Sequence, residues 1–271
     1  MKPYLETEQV KLYNGHFIEV LSYLIDSDSV FFDLVLVDPP YGLTQAKWDR
    51  PIDLIDMWQL TASITHKTTP FLIFGQQPFT TDLIMSNRDN FRYQWIWEKP
   101  SGKGHLNAKK RPLSAHEDIV VFYESQPIYN PQMILGQVRK VRKGKKGDSK
   151  SYNAESGRVD YDSTARYPRS IINFSSDTQK SALHPNQKPI ALIEYLINTY
   201  TNPGDIVLDF CAGSCTTGIA AIKTKRKCVL VEQEEKYCEI GKERIEAELL
   251  QLPMFTPTTT SVNRKQLYFE V

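Results

Sequence analysis

Short apolar runs alternate along the chain with segments whose apolar residues recur at helical spacing, and they do so in two blocks. In the first block, runs at 10–13, 34–37, 71–74, 93–97 and 118–122 read as strands, and 52–65 reads as a helix with Pro51 suited to its first turn. The second block opens at Lys188-Pro189, where IALIEYLINTY keeps its apolar residues at helical spacing until Asn202-Pro203-Gly204 stops the helix. A strand at 206–208, a glycine-containing turn, a helix through Ala220, a strand at 228–231 and a charged helix from Glu234 to about Leu250 follow. This alternation predicts an α/β fold built on an open, doubly wound, mostly parallel sheet.

The pattern fails between 126 and 183, where polar, basic and tyrosine-bearing text replaces the apolar period, so this span reads as an insertion with little core of its own. The tail, 251–271, is weakly patterned. At 271 residues and 41% hydrophobic, the chain can bury one sizeable core. The absence of an apolar run of about 18 residues, and of a basic-then-apolar start, leads to the expectation of a soluble, cytoplasmic protein without a membrane partner. Cys211, Cys215, Cys228 and Cys238 lack paired CxxC spacing, so they read as reduced thiols and not as metal ligands. The net charge of +1 conceals a concentration: RKVRKGKKGDSK, 139–150, holds seven basic residues against Asp148 alone, and the rest of the chain is net acidic.

Three stretches carry chemistry. In DLVLVDPPYGL, a buried-strand signature ends on Asp38, Pro39, Pro40 and Tyr41, a carboxylate on a doubly rigid turn beside an aromatic ring. In DFCAGSCTTG, a strand ends at Asp209 and a turn through Phe210, Cys211, Gly213, Ser214 and Cys215 leads to a helix starting near Thr216. Glycine lets backbone approach a ligand closely, and a helix start offers unpaired N–H groups. Glu232 closes the following strand 23 residues after Asp209, where a carboxylate can meet ribose hydroxyls. GxGxxG is absent and no P-loop lysine follows, so a cofactor with ribose but without pyrophosphate fits better than a dinucleotide. The third stretch is HPNQKP, 184–189, directly before the helix that leads into the glycine turn.

Together DPPY at 38–41, HPNQKP at 184–189 and DFCAGSCTTG at 209–218 resemble the motifs of S-adenosylmethionine-dependent DNA amino-methyltransferases, and their order resembles the circularly permuted beta class. FLIFGQQPF at 71–79, WIWEKP at 95–100 and LNAKKRPLSAHEDIVVFY at 106–123 extend the resemblance over most of 10–245. It implies a seven-stranded, Rossmann-like methyltransferase sheet, divided into a catalytic half (1–125), an inserted target-recognition region (126–183), a cofactor-binding half (184–250) and a tail (251–271).

The implied reaction is methyl transfer to N6 of adenine in double-stranded DNA, by in-line displacement on a flipped base. Asp38 and the Pro39 carbonyl would accept the amine hydrogens, Pro40 would stiffen the turn and Tyr41 would stack on the base. N4 of cytosine is the rival target, although cytosine-acting members often carry serine where Asp38 stands. Outside the enzyme class, the alternative is a catalytically silent DNA-binding relative.

For S-adenosyl-L-methionine the resemblance implies Asp209, Phe210, Cys211, Gly213, Ser214, Cys215 and Thr216 along the turn, with Glu232 and Gln233 at the ribose. His184, Asn186 and Lys188 would enclose the cofactor, with Lys188 facing its carboxylate. His16 stands where relatives commonly have aspartate facing the adenine, and Cys215 stands where they usually have glycine, which would set a side chain where backbone meets ligand. For DNA, the implied contacts are Lys109, Lys110, Arg111, Arg139, Lys140, Arg142, Lys143, Lys145 and Lys146, with Lys103 on the same basic face. The recognition sequence, a homodimer and a cognate restriction endonuclease are left open.

If the basic run supplies phosphate contacts, replacing Lys143, Lys145 and Lys146 together by alanine weakens binding to all DNA sequences alike. The log–log salt slope of binding flattens by about two to three units. Fluorescence titrations at several salt concentrations check this, and an unchanged slope makes the run a spectator.

Overall fold

The computed structural model describes residues 1–27, 30–43, 50–140, 162–175 and 187–251. At its centre, Leu34-Val35-Leu36-Val37 forms β3, with all four residues buried, as a strand covered on both faces must be. Side chains alternate across a strand: Leu34 and Leu36 enter one core layer and Val35 and Val37 the other. β10 (Ile206–Asp209) and β4 (Phe71–Gly75) flank β3, both parallel to it. Beyond β10 lie β11 (Lys227–Glu232) and β2 (Val10–Asn14), also parallel. Beyond β4 come β6 (Ser114–Phe122), the antiparallel member, and the long β5 (Phe91–Lys103).

These seven strands are extended at each edge by β1 (Leu5–Glu6) and β9 (Ile171–Asn173). Among the described residues the sheet thus holds nine strands in the order β1-β2-β11-β10-β3-β4-β6-β5-β9. The predicted doubly wound, mostly parallel sheet is present, with its helices sorted by chain block. α1 (Phe17–Asp26), α2 (Leu54–Ala62) and α3 (Phe79–Ser86) pack on one face through Val20, Leu21, Met57 and Leu83. α4 (Ile190–Tyr200), α5 (Thr216–Lys223) and α6 (Glu235–Gln251) cover the other through Leu196, Ile197, Ile219 and Ile245.

Several elements differ from the sequence reading. α2 begins at Leu54 because Asp53 caps it, accepting from the Ile55 and Asp56 amides at 2.8 and 3.1 Å. α1 and α3 stand where no helix was assigned, although the buried positions Phe17, Val20, Leu21 and Leu24 of α1 follow the helical period. The insertion is not uniformly coreless. β7 (Ile134–Lys140) and β8 (Asp162–Arg166) form an antiparallel ribbon, and β9 adds to the main sheet beside β5, with Ile172 buried. One stretch of the span 126–183 is therefore structurally part of the main sheet.

Cys215 precedes α5 with φ at 59°, in the left-handed region, a conformation that costs a residue with a Cβ about 1–2 kcal/mol. Its buried side chain packs against Gly241 of α6, where an added Cβ would fall on Cys215 Sγ and Cβ. Gly241→Ala is therefore expected to destabilise by about 1–3 kcal/mol through overpacking. In a Cys215→Gly background most of that cost disappears. Urea unfolding of the four proteins measures the coupling, and an equal cost in both backgrounds refutes the contact as its cause.

Candidate active site

From β10 the chain passes through α5 on one face of the sheet to β11, while from β3 it passes through α2 on the other face to β4. At such a switch of direction the connections part and leave a crevice beyond the strands' carboxyl ends. A cleft of about 800 Å³ opens there, lined by the ends of β2, β3, β10 and β11 and by the strand ends around Lys99 and Glu117.

One arm of the cleft is the turn after β10. Asp209 is buried, with Oδ1 accepting from the Cys211 amide at 3.1 Å and Oδ2 from the Thr217 hydroxyl at 2.6 Å. Burial pushes its carboxyl up to about 7, although both hydrogen bonds pull the other way. Gly213 has φ at 51°, which a residue without Cβ adopts freely. Its amide donates to Glu232 Oε2 at 2.7 Å, while Glu232 Oε1 accepts from the Glu234 amide at 2.9 Å. Glu232 thus ties its own loop to the glycine turn, and burial raises its carboxyl above the ordinary value despite these bonds. Arg244 of α6 donates to the Ser214 carbonyl and, at 3.0 and 3.3 Å, approaches the Ser214 and Thr216 hydroxyls. His16 caps α1 next to this arm, its Nδ1 accepting from the Ile18 amide at 3.4 Å. Phe17 and Phe210 form an apolar wall with ring centroids 5.6 Å apart.

The other arm is the turn after β3. Tyr41 donates to Asp38 Oδ1 at 2.5 Å, and its ring stacks on Phe79 with centroids 5.4 Å apart. Lys188, immediately before α4, donates to Asp38 Oδ2 at 2.5 Å and lies 3.1 Å from Glu117 Oε2. Lys99 of β5 pairs with the other oxygen of Glu117. The Lys188 ammonium also sits 4.8 Å from the centre of the Phe74 ring. Burial opposes the charge on Lys188, but Asp38 and Glu117 outweigh it and raise its pKa. Burial likewise opposes the charge on Glu117, and Lys188 with Lys99 outweighs it and lowers its pKa.

Of the residues singled out from the sequence, Asp38, Pro39, Pro40, Tyr41, His16, Lys188, Asp209, Phe210, Cys211, Gly213, Ser214, Thr216, Glu232 and Gln233 all line this one cleft. Two placements differ from expectation. Lys188 is paired with Asp38 and Glu117, because a half-buried and a buried carboxylate flank its ammonium. The Cys215 side chain is wholly buried in the core against Gly241 and does not line the cleft, because the left-handed turn directs it toward α6.

Lys109, Lys110 and Arg111 are exposed in the connection between β5 and β6 and do not line the cleft, whereas Lys103 and Ser114 at its two ends do. Arg139 and Lys140 end β7. His184, Asn186, Arg142, Lys143, Lys145 and Lys146 lie outside the described residues. Sequence reasoning missed Lys99, Glu117, Thr217 and Arg244. For Glu117 a signal existed, since an acid pair opens the apolar run of β6. Arg244 sits on a helix rich in charge and nothing local sets it apart.

The sequence matches the N6/N4 DNA methylase family over residues 32–243. It is 30% identical over 244 residues to the DNA adenine methyltransferase YhdJ of Escherichia coli K12, an alignment covering 82% of this chain and 78% of that protein. Among solved structures, M1.HpyAVI in complex with SAM superposes with a TM-score of 0.60 at 21% identity, covering 87% of this chain and 99% of the other. The cytosine-N4-specific PvuII DNA methyltransferase superposes with a TM-score of 0.63 at 17% identity, over 91% and 93% of the two chains. With its motifs on one cleft and the family match spanning most of its length, the chain belongs to the N6/N4 DNA methylase family and is a DNA methyltransferase.

Proposed function

We propose that this protein methylates N6 of adenine in double-stranded DNA, with S-adenosylmethionine as methyl donor. The observation that carries the reading is that the DPPY turn and the glycine turn end adjacent parallel strands, β3 and β10, and face each other across a single cleft. The glycine-turn arm suits a nucleoside. The apolar wall of Phe17 and Phe210 can hold a flat base, and the Glu232 carboxylate, with acceptor capacity beyond its backbone partners, can accept from a ribose hydroxyl. His16 and Gln233 border the same space, and Cys211, Gly213, Ser214 and Thr216 line the remainder. When bound, S-adenosylmethionine supplies a methyl group on a positively charged sulfur.

Asp38 does the work on the target side. Its two oxygens are held by Tyr41 and Lys188, so the carboxylate is oriented before any base arrives. Each oxygen keeps one further lone pair, and an amine hydrogen donated there turns the nitrogen lone pair away from the ring. The stiff prolines hold the Pro39 carbonyl beside it to take the second hydrogen. One face of Tyr41 is occupied by Phe79, which leaves the ring braced for contact with an extruded base on its other side. The carboxylate at position 38 and the adenine activity named for the Escherichia coli relative both favour adenine. The second reading, N4 of cytosine, draws on the PvuII enzyme's structural likeness.

Asp38→Ala is expected to lower methyl transfer by on the order of 10²–10³ or more, with cofactor binding kept within several-fold by calorimetry. An active Asp38→Ala enzyme ends the proposed mechanism. Sequencing DNA from cells that express the protein, by a method that separates N6-methyladenine from N4-methylcytosine, decides the base. Modified cytosine alone selects the second reading.

A further inference from the structure

In β6 two acids, Glu117 and Asp118, precede a wholly apolar run. Asp118 has a local partner, the Thr80 hydroxyl at 2.8 Å. Glu117 has two cationic ones, Lys99 from the neighbouring strand and Lys188 from the far side of the cleft. Its side chain is only 10% exposed and that of Lys188 only 9%, whereas that of Asp38 is 28% exposed. Burying a charged pair such as Glu117 with Lys188 is not what a stable core requires, since apolar replacements of buried ion pairs are often neutral or stabilising. The arrangement does have a consequence at Asp38. Lys188 and Lys99 together bring two positive charges behind the carboxylate, and Glu117, which pairs with both, cancels one of them.

We infer that Glu117 is a positioning residue for methyl transfer: it holds Lys188 against Asp38 and offsets one of the two lysine charges, so that Lys188 orients Asp38 while the group as a whole stays neutral beside the reacting amine. The inference rests on the reading of Asp38 as acceptor of the target amine. In that reaction the amine nitrogen uses its lone pair to form the new N–C bond while the C–S bond breaks and sulfur keeps its electron pair. Nitrogen becomes positively charged and sheds one N–H proton to the carboxylate that already accepts it, from which solvent removes it. Asp38, Glu117, Lys99 and Lys188 sum to zero charge. Without Glu117 the group carries a net positive charge beside the nitrogen as that nitrogen turns cationic, and in a buried site such a charge is poorly screened.

The test is a double-mutant cycle in the full-length protein on Glu117→Gln and Lys188→Met, read by single-turnover transfer of labelled methyl to DNA, with cofactor affinity and thermal unfolding measured alongside. Glu117→Gln is expected to slow transfer by about tenfold to a hundredfold, as loss of an outer partner of a reactive group does, with cofactor affinity unchanged. In the Lys188→Met background, the same change is expected to alter the rate by less than about threefold, because Glu117 acts through the Lys188 charge. A wild-type rate for Glu117→Gln overturns the inference, and so does an equal loss in both backgrounds, which would mark a purely structural role. If Glu117→Gln does not fold, the comparison of Lys188→Met with the double variant decides alone. Asp38→Ala is run in parallel: if it stays active, the underlying reading fails. If it is inactive while Glu117→Gln matches wild type, only this inference fails.

Discussion

Everything at the site depends on the junction of β3 and β10. These strands are short, buried on both faces and joined in parallel register at Val207 with Leu34 and Leu208 with Val35. Their following helices leave on opposite faces, so the two connecting turns cannot close over each other. A crevice at their carboxyl ends is the geometric result, and it brings together two turns that lie about 170 residues apart in the chain. The chemistry of the family is arranged around that opening.

Carboxylates shape the cleft, and each is held differently. Asp209 and Glu232 are buried acceptors for backbone amides and a hydroxyl, so they fix the glycine turn to the strands on either side of it. The Arg244 contacts with Ser214 and Thr216 brace the same turn from α6. Asp38 and Glu117 are instead paired with buried lysines, where leaving one partner out would strand a charge. One side of the cleft is therefore held through hydrogen bonds to backbone groups and hydroxyls. The other is rigid through compensated charge, which responds to any charge that develops beside it.

The insertion is joined to this machinery more closely than its composition indicates. β9 lies along β5 with Ile96, Trp97 and Glu98 in register with Ile171, Ile172 and Asn173, and the Trp97 indole donates to the Phe174 carbonyl. β5 also carries Lys99, one of the two cations on Glu117. A segment read as having little core of its own thus completes the edge of the strand that helps hold the charged side of the cleft.

The sequence by itself determined the class of the sheet, its central strands and the two turns that border the cleft. The runs at 34–37, 71–74, 206–208 and 228–231 each fall within the strand they predicted, because a strand buried on both faces leaves an uninterrupted apolar signature. The DPPY and glycine turns were legible because rigid or glycine-bearing turns at strand ends are local features.

Only the tertiary structure decided how the charges pair and where side chains point. Lys188 meets Asp38 across 150 residues and Cys215 turns into the core against Gly241, and no local pattern encodes either. β9 was hidden for a related reason: at three residues it gains its place from pairing with β5 and burying Ile172, not from a period of its own. Periodicity and turn chemistry are properties of neighbouring residues, whereas ion pairing, side-chain direction and edge-strand addition are set by contacts between segments far apart in the chain.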